Sequence, residues 1–328
     1  MARIYQSFQS LVIILYNKWY LSTKMHISKI KDFKVDYEET IKDMTDINSE
    51  ISYLKPVQLT PGVHRITANN SGPMTGPGTN CYIVGTHKIA VIDPGPLLDK
   101  HVKCVLDNFG ERIEWVIVTH THRDHSPAAA ELVAQTGAKM VGNEIANDGF
   151  QDPTFENATP LLNDDTIETD TRVIRAILTP GHVSNHVCFL IEEDELLMTG
   201  DHMMEGSTVV IVPPAGSMKK YIHSLERLLA YEFKYVAPGH GTVIVEPKRE
   251  IERLIAHRLG RESKVIDKLG TSGSSTISKL TPLVYDDVDP SLHEWASLSL
   301  HAHLIKLQEE KFVQERNGYW QLRQKENI

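Results

Sequence analysis

From about Lys55 onward, short apolar runs alternate with amphipathic stretches in a regular order. The segment "NCYIVGTHKIAVIDPG" reads as two strands around a turn, the second ending at Asp93-Pro94-Gly95. "LDKHVKCVLDNFG" has helical spacing and stops at Gly110. "EWVIVTH" is continuously apolar, the pattern of a strand covered on both faces. "SPAAAELVAQTGA" follows as a helix with Pro127 near its first turn and Gly137 at its end. Strands recur at "TRVIRAILTPGH", "HVCFLIEEDELLMTGD" and "KYVAPGHG", with a helix at "MKKYIHSLERLLAYE" between the last two. This alternation predicts a layered α/β domain over residues 55–256.

The pattern changes beyond that point. A basic helix, "KREIERLIAHRLGRESKVIDKLG", leads to a Gly/Ser turn and a short helix in "TSGSSTISKLTPLVYDD". "PSLHEWASLSLHAHLIKLQEEKFV" places Leu298, Ala302 and Ile305 on one helical face, and "QERNGYWQL" forms a hairpin around Asn317-Gly318. Helix, helix, helix, hairpin is the order of a small winged-helix domain, expected over residues 257–328. Residues 1–54 form an N-terminal extension. Its apolar run "LVIIL" is far below the roughly 18–20 residues of a membrane span, and no small-residue cleavage site follows it. Residues 1–31 carry no acid, so the extension reads either as a disordered leader or as a mitochondrial presequence. The expected location is cytoplasmic, with the mitochondrial matrix as the alternative.

Composition narrows the partners. The 328-residue chain has a formal net charge of −9, which gives no global attraction to nucleic acid or to an anionic membrane. Between Lys139 and Arg172 there is no Lys or Arg but there are eight acids, a segment that a phosphate backbone would avoid. The three cysteines lie far apart without CxxC spacing, as expected for reduced thiols. Sixteen histidines are the unusual feature.

Their placement carries the chemistry. "THTHRDH" puts His120, His122, Asp124 and His125 in the turn after a buried strand, where several short ligand-bearing side chains converge. Imidazole nitrogen and carboxylate oxygen suit a borderline cation such as zinc. One tetrahedral ion cannot use all four and keep a position for water. Three further strand ends supply His182 in "LTPGHVSNH", Asp201 in "LLMTGDH" and His240 in "VAPGHG", each beside glycine, which lets backbone approach a crowded site. Seven ligands suit two ions, with the Asp201 carboxylate between them. Two such ions would lower the pKa of a shared water and clamp the oxygens of a hydrolysable group.

These motifs resemble the metallo-β-lactamase superfamily, whose signature is HxHxDH followed by His, Asp and His motifs. The resemblance implies an αββα sandwich. It implies a first metal site of His120, His122 and His182, a second of Asp124, His125 and His240, and Asp201 bridging. The expected cofactors are two Zn2+ per chain, with Mn2+ or Fe also admitted by all-N/O ligation. Asp93 in "VIDPG" matches the superfamily's early aspartate, which orients ligands. "GPMTGPGTNCYIVG", "THTHRDHS", "TPGHVSNH", "PGHG" and the C-terminal "LTPLVYDDVDPSLHEWASLSLHAHLIKLQEE" are similar to the lactamase-β-like protein 2 group, which joins this domain to a winged helix and whose animal members are described as single-stranded-RNA endonucleases. Several relatives carry cysteine where this chain has His202; His202 and His186 are read as supporting or packing residues. The resemblance also implies a homodimer.

The implied mechanism is attack by a bridging hydroxide on a carbonyl or phosphorus centre, with Asp124 and Asp201 orienting the nucleophile or accepting its proton. No dedicated leaving-group acid is identifiable from the sequence, His202 being a weak candidate. The loop "GSTVVIVPPAGS", Gly206–Ser217, follows Asp201 closely enough to line the pocket. The first substrate expectation is single-stranded RNA. Residues 248–268 hold seven Lys/Arg against four acids, and Arg253, His257, Arg261 and Lys264 recur at helical spacing where they would track phosphates. The alternative is a small thioester or lactone, which needs no basic surface. A third reading, a nucleic-acid-binding winged-helix protein with a secondary metal site, is poorly served by the few basic residues of the last long helix.

Overall fold

The computed structural model describes residues 51–145 and 149–323. The leader expected at the N-terminus therefore lies outside the described residues, apart from 51–54. Two sheets face each other. The first is six-stranded, in chain order: β1 (Val57–Thr60), β2 (Val63–Thr67), β3 (Asn80–Val84), β4 (Ile89–Ile92), β5 (Ile113–Ile117) and β6 (Lys139–Val141). β1 to β4 pair antiparallel. β4, β5 and β6 are parallel, joined by crossovers through α1 (Asp99–Phe109) and α2 (Ala128–Thr136).

The second sheet is five-stranded, ordered β11-β10-β9-β8-β7: β7 (Thr166–Glu168), β8 (Val173–Leu178), β9 (Val187–Ile191), β10 (Leu196–Gly200) and β11 (Tyr235–Pro238). Its one parallel pair, β10 with β11, is crossed by α3 (Met218–Leu228). Every residue of β3, β4, β9, β10 and β11 is buried. That is the pattern of strands covered on both faces, and the layers explain it. Val102, Val105 and Phe109 of α1 and Leu132 of α2 pack with Ile83, Val91 and Val116 on the outer face of the first sheet. Tyr221, Leu225 and Leu228 of α3 cover Cys188, Leu190 and Val236 of the second. Between the sheets, the Tyr82 hydroxyl donates to the Pro238 carbonyl at 2.6 Å and Val187 N–H to the Thr119 carbonyl at 2.8 Å.

The C-terminal part consists of α4 (Pro247–Ser272), α5 (Ile277–Val284), α6 (His293–Glu309) and a hairpin of β12 (Val313–Arg316) and β13 (Tyr319–Leu322). Its own core gathers Val265, Leu269, Leu280, Leu300, Leu304 and Trp320. α4 is one continuous helix through the expected boundary at residue 256, and its first half, with Ile251 and Leu254, packs in the core of the second sheet. The two parts therefore share a rigid element rather than a linker. Among the described residues no helix is long and apolar enough to cross a membrane.

Gly110 ends α1, as its position suggested, though with right-handed angles that pass into a short 3-10 turn. Local expectations differ from the structure in two places. "HVCFLIEEDELLMTGD" is two strands, split by a 3-10 turn over Glu192–Asp194 and by Glu195 at φ +48°. β1, β2, β6 and β7 were not anticipated; β6 and β7 have three residues each, too few to show alternation.

Candidate metal centre

The seven residues singled out from sequence come together at one end of the sandwich. They lie beyond the C-terminal ends of β5, β8, β10 and β11. His120, His122, His182 and Asp201 form one group, and Asp124, His125, Asp201 and His240 a second; within each group the ligand atoms lie within 4.8 Å of one another. Asp201 belongs to both. Its Oδ2 lies 3.6 Å from His182 Nε2, and its Oδ1 lies 3.3 Å from both His125 Nε2 and His240 Nε2. Asp124 Oδ2 is 3.2 Å from His240 Nε2 and 3.5 Å from His125 Nε2.

Four imidazoles are oriented by a hydrogen bond from the nitrogen that points away from the cluster. His125 Nδ1 donates to Asp93 Oδ2 at 2.9 Å, His182 Nδ1 to the Val210 carbonyl at 2.8 Å and His240 Nδ1 to the Gly78 carbonyl at 3.1 Å. His120 Nδ1 meets Thr119 Oγ1 at 2.9 Å; that hydroxyl donates to Asp93 Oδ2 at 2.8 Å, so it accepts from His120. Each bond places the proton on Nδ1 and leaves a lone pair on Nε2, facing the centre. His122 instead presents Nδ1, 3.0 Å from both His120 Nε2 and His182 Nε2. Buried His125 Nε2, His240 Nε2 and Asp201 Oδ1 make no well-aligned hydrogen bond, although both nitrogens lie 3.3 Å from the Asp201 oxygen. Buried polar atoms left this way cost free energy, and a cation is the species that lone pairs and carboxylate oxygens so arranged would accept. The donor set fits a borderline divalent ion.

Backbone geometry makes room for this crowding. An added Cβ at Gly239 would lie 2.7 Å from His125 Cε1 and 3.0 Å from Asp201 Oδ1. Gly200, at φ +43°, lies where a Cβ would meet Thr119 Oγ1 at 2.3 Å. Asp93, a non-glycine residue at φ +50°, takes three hydrogen bonds: Thr119 N at 2.7 Å on Oδ1, and Thr119 Oγ1 and His125 Nδ1 on Oδ2. Strain of this kind persists only where surrounding bonds over-determine it.

The electrostatics divide the two groups. Burial lowers the pKa of His120 well below 6.5, that of His122 to about 3, and that of His182, so all three are neutral at pH 7. Burial would lower His125 and His240 too, but neighbouring carboxylates outweigh it. Asp124, Asp201 and Asp93 raise His125, while Asp201 and Asp124 raise His240 to about 9. For Asp124 and Asp201, burial opposes ionisation, yet the adjacent His125 and His240 hold both carboxyls below the usual range.

His186 and His202 lie behind the cluster and share no ligand position. His186 Nδ1 meets Thr179 Oγ1 at 2.9 Å, and its ring lies 5.7 Å from that of His202. His202 is fully buried, its pKa is lowered to about 3 by burial, and neither ring nitrogen has a partner. A neutral, enclosed imidazole cannot serve as the leaving-group acid considered for it.

The basic stripe on α4 is also not what its spacing suggested. Arg261 is buried, donates to Asp287 Oδ1 at 2.6 Å and to the Val284 carbonyl at 2.6 Å, and stacks on Tyr285. Lys264 pairs with Asp286 and Asp287. Arg253 is held by Glu250 at 2.6 Å and by the Ser207 carbonyl at 3.1 Å. Burial, then Arg258, Arg261 and Arg253, lowers His257 to about 4, leaving it neutral. The cations that were expected to track phosphates are committed to acids and carbonyls of the chain itself.

A cavity of about 430 Å³ opens directly over the two groups, with His122, Asp124, His182 and Asp201 in its floor. Its walls are mostly apolar: Met74, Phe150, Val183, Val210, Val212, Ala215 and Trp295, together with Arg123. The loop Gly206–Ser217 thus lines the cavity, as its position after Asp201 suggested. Met74, Phe150 and Trp295 were not foreseen, because each is remote in sequence from the metal motifs.

The Metallo-beta-lactamase superfamily profile matches residues 74–240, and that of the Beta-lactamase associated winged helix domain matches residues 276–320. Relatives include a Lactamase-like protein nscB of Arthroderma benhamiae, 29% identical over 76% of this chain and 59% of its own. Thioesterase pkgB of Emericella nidulans is 32% identical over 66% of this chain and 62% of its own. The chain therefore spans about three fifths of the length of those two. A Beta-lactamase-like protein 2 homolog of Drosophila melanogaster is 29% identical over 77% of this chain and 90% of its own. A Beta-lactamase domain protein from Burkholderia ambifaria shares the fold, with a TM-score of 0.71 at 16% identity over 84% of this chain and 95% of its own.

Proposed function

The chain belongs to the metallo-β-lactamase superfamily, and from that premise we propose that it is a dinuclear-metal hydrolase of small activated acyl compounds, thioesters foremost. The observation that carries this reading is the cavity over the two ligand groups. Its walls are apolar, and the one cationic side chain among its described lining residues is Arg123. Such a wall suits an acyl chain, whereas a phosphodiester needs cations along its path. With the α4 cations paired internally, the RNA reading loses the basic surface that supported it.

Two divalent ions, zinc or manganese, held by His120, His122 and His182 on one side and by Asp124, His125 and His240 on the other, with Asp201 between, would supply Lewis acidity and a nucleophilic water at neutral pH. The chain's own groups complete the reaction. Water adds to the thioester carbonyl, its proton passes to Asp124 or Asp201, the carbon–sulfur bond breaks, and sulfur departs with the bonding electron pair. A ligating carboxylate is ionised and keeps lone pairs that accept a proton. Among the described residues lining the cavity, beyond the ligand set, only Arg123 is titratable, and it is not an acid at neutral pH. A thiol, with a pKa near 8.5, leaves without protonation far more readily than an alcohol.

The discriminating experiment offers the zinc- or manganese-loaded protein a series of acyl thioesters, read by thiol release, and an unstructured oligoribonucleotide, read on a gel. Thioester turnover that Asp124→Ala abolishes supports the proposal. RNA cleavage abolished by Asp124→Ala, with every thioester intact, overturns it.

A further inference from the structure

The cavity wall formed by Trp295 comes from α6, a winged-helix element more than fifty residues beyond the last metal-ligating motif. Three residues of the loop Gly206–Ser217, which follows Asp201, fix where that helix sits. The Val209 carbonyl accepts from Arg258 Nη2 of α4 at 2.6 Å, and the Arg258 guanidinium lies 5.2 Å from the centre of the Tyr221 ring. The Val210 carbonyl accepts from His182 Nδ1 at 2.8 Å. Ile211 N–H donates to Ser299 Oγ of α6 at 3.2 Å. Consecutive backbone groups thus tie α4, a residue of the ligand cluster and α6 to one another.

Trp295, Ser299 and Ala302 recur at i, i+4 and i+7, so they form one stripe along α6. Ser299 holds Ile211 and Ala302 packs in the core of the second sheet. The same stripe presents Trp295, half-buried, to the cavity whose floor holds His182 and Asp201. Through the Ile211 and Val210 bonds, the indole is held in register with the ligand groups.

Resting on the thioesterase reading above, we infer that Trp295 determines acyl specificity: the winged helix supplies the aromatic wall against which an apolar or aromatic acyl group packs, and so acts as a substrate-selecting part of the active site. Indole offers a large, rigid apolar surface with few rotatable bonds. Withdrawing a sizeable acyl group from water against it is worth on the order of tenfold to a hundredfold in binding.

The test uses the full-length, zinc-loaded protein and N-acetylcysteamine thioesters of acetate, hexanoate and benzoate. In Trp295→Ala, kcat/KM should fall at least tenfold for the hexanoyl and benzoyl substrates and less than twofold for the acetyl one. Trp295→Phe should recover most of the loss. Metal content should be unchanged, and quenching of tryptophan fluorescence by a benzoyl thioether analogue should vanish in Trp295→Phe. A uniform fall across the series, with or without loss of metal, overturns the inference. So does wild-type selectivity retained in Trp295→Ala. Failure of the wild-type protein to cleave any thioester instead overturns the thioesterase reading, and this inference with it.

Discussion

Asp93→Asn is the sharpest perturbation of the centre, because one carboxylate orients residues of both ligand groups. It binds His125 directly and His120 through Thr119. An asparagine side chain has one acceptor and one donor face where aspartate has two acceptors. If its oxygen takes the Oδ2 position, its amide faces the Thr119 N–H now 2.7 Å from Oδ1, donor against donor. If the amide is reversed, it faces His125 Nδ1 and drives that ring to the other tautomer, putting a proton on Nε2 where a lone pair is required. Either outcome degrades a ligand. Loss of such an orienting partner weakens metal binding about 10–100-fold, equivalent to about 1.4–2.7 kcal/mol at 1.36 kcal/mol per decade. Competition against a chromophoric chelator, resolved for two binding steps, measures it directly, and circular dichroism checks that the variant is folded. Unchanged affinity at both steps would refute the role given to Asp93.

Gly239→Ala should lower affinity at the His125/His240 site specifically, since its methyl lands 2.7 Å from His125 Cε1; two tight ions by mass spectrometry would show that the backbone yields freely. His202→Leu should keep full metal content and leave the metal-free protein as stable or more stable, because it removes two buried unpartnered nitrogens worth about 1–3 kcal/mol when unsatisfied; loss of a metal ion would make His202 a ligand after all. The α4–α6 contact should be acid-sensitive. His257, beside Arg253, Arg258 and Arg261, is lowered to about 4 by burial and those cations, and His303, beside Glu262, Arg258 and Lys306, is lowered by burial despite the Glu262 bond. Folded pKa values below the unfolded 6.5 mean that the unfolded chain takes up protons first, so stability is complete above pH 6.5 and falls toward pH 4. The fully buried His303 gives a slope of at most about 1.4 kcal/mol per pH unit; urea titrations from pH 8 to 5 in which His303→Gln has the same slope as wild type would contradict this.

Much of the centre was legible because its chemistry is local. His120, His122, Asp124 and His125 lie within one turn, and each remaining ligand follows an apolar strand and precedes or follows glycine, so short windows of sequence reveal them. The central strands were legible for the same reason. The α4 stripe was misread because the partners of Arg261 and Lys264, Asp286 and Asp287, lie 22 to 26 residues downstream, beyond any helical window. Trp295 was missed for a related cause: its face of α6 shows the spacing of an ordinary core stripe, and only the tie between Ser299 and Ile211 turns it toward the ligand cluster. Spacing reports which residues share a face, while tertiary packing decides what that face meets.

The two groups that share Asp201 are expected to hold two ions. Counting metal by native mass spectrometry, after zinc loading and removal of free ion, tests this in wild type, His120→Ala and His240→Ala. Two ions per chain are expected in wild type and one in each variant, the survivor being in the opposite group. A single ion in wild type, or two in either variant, would contradict this.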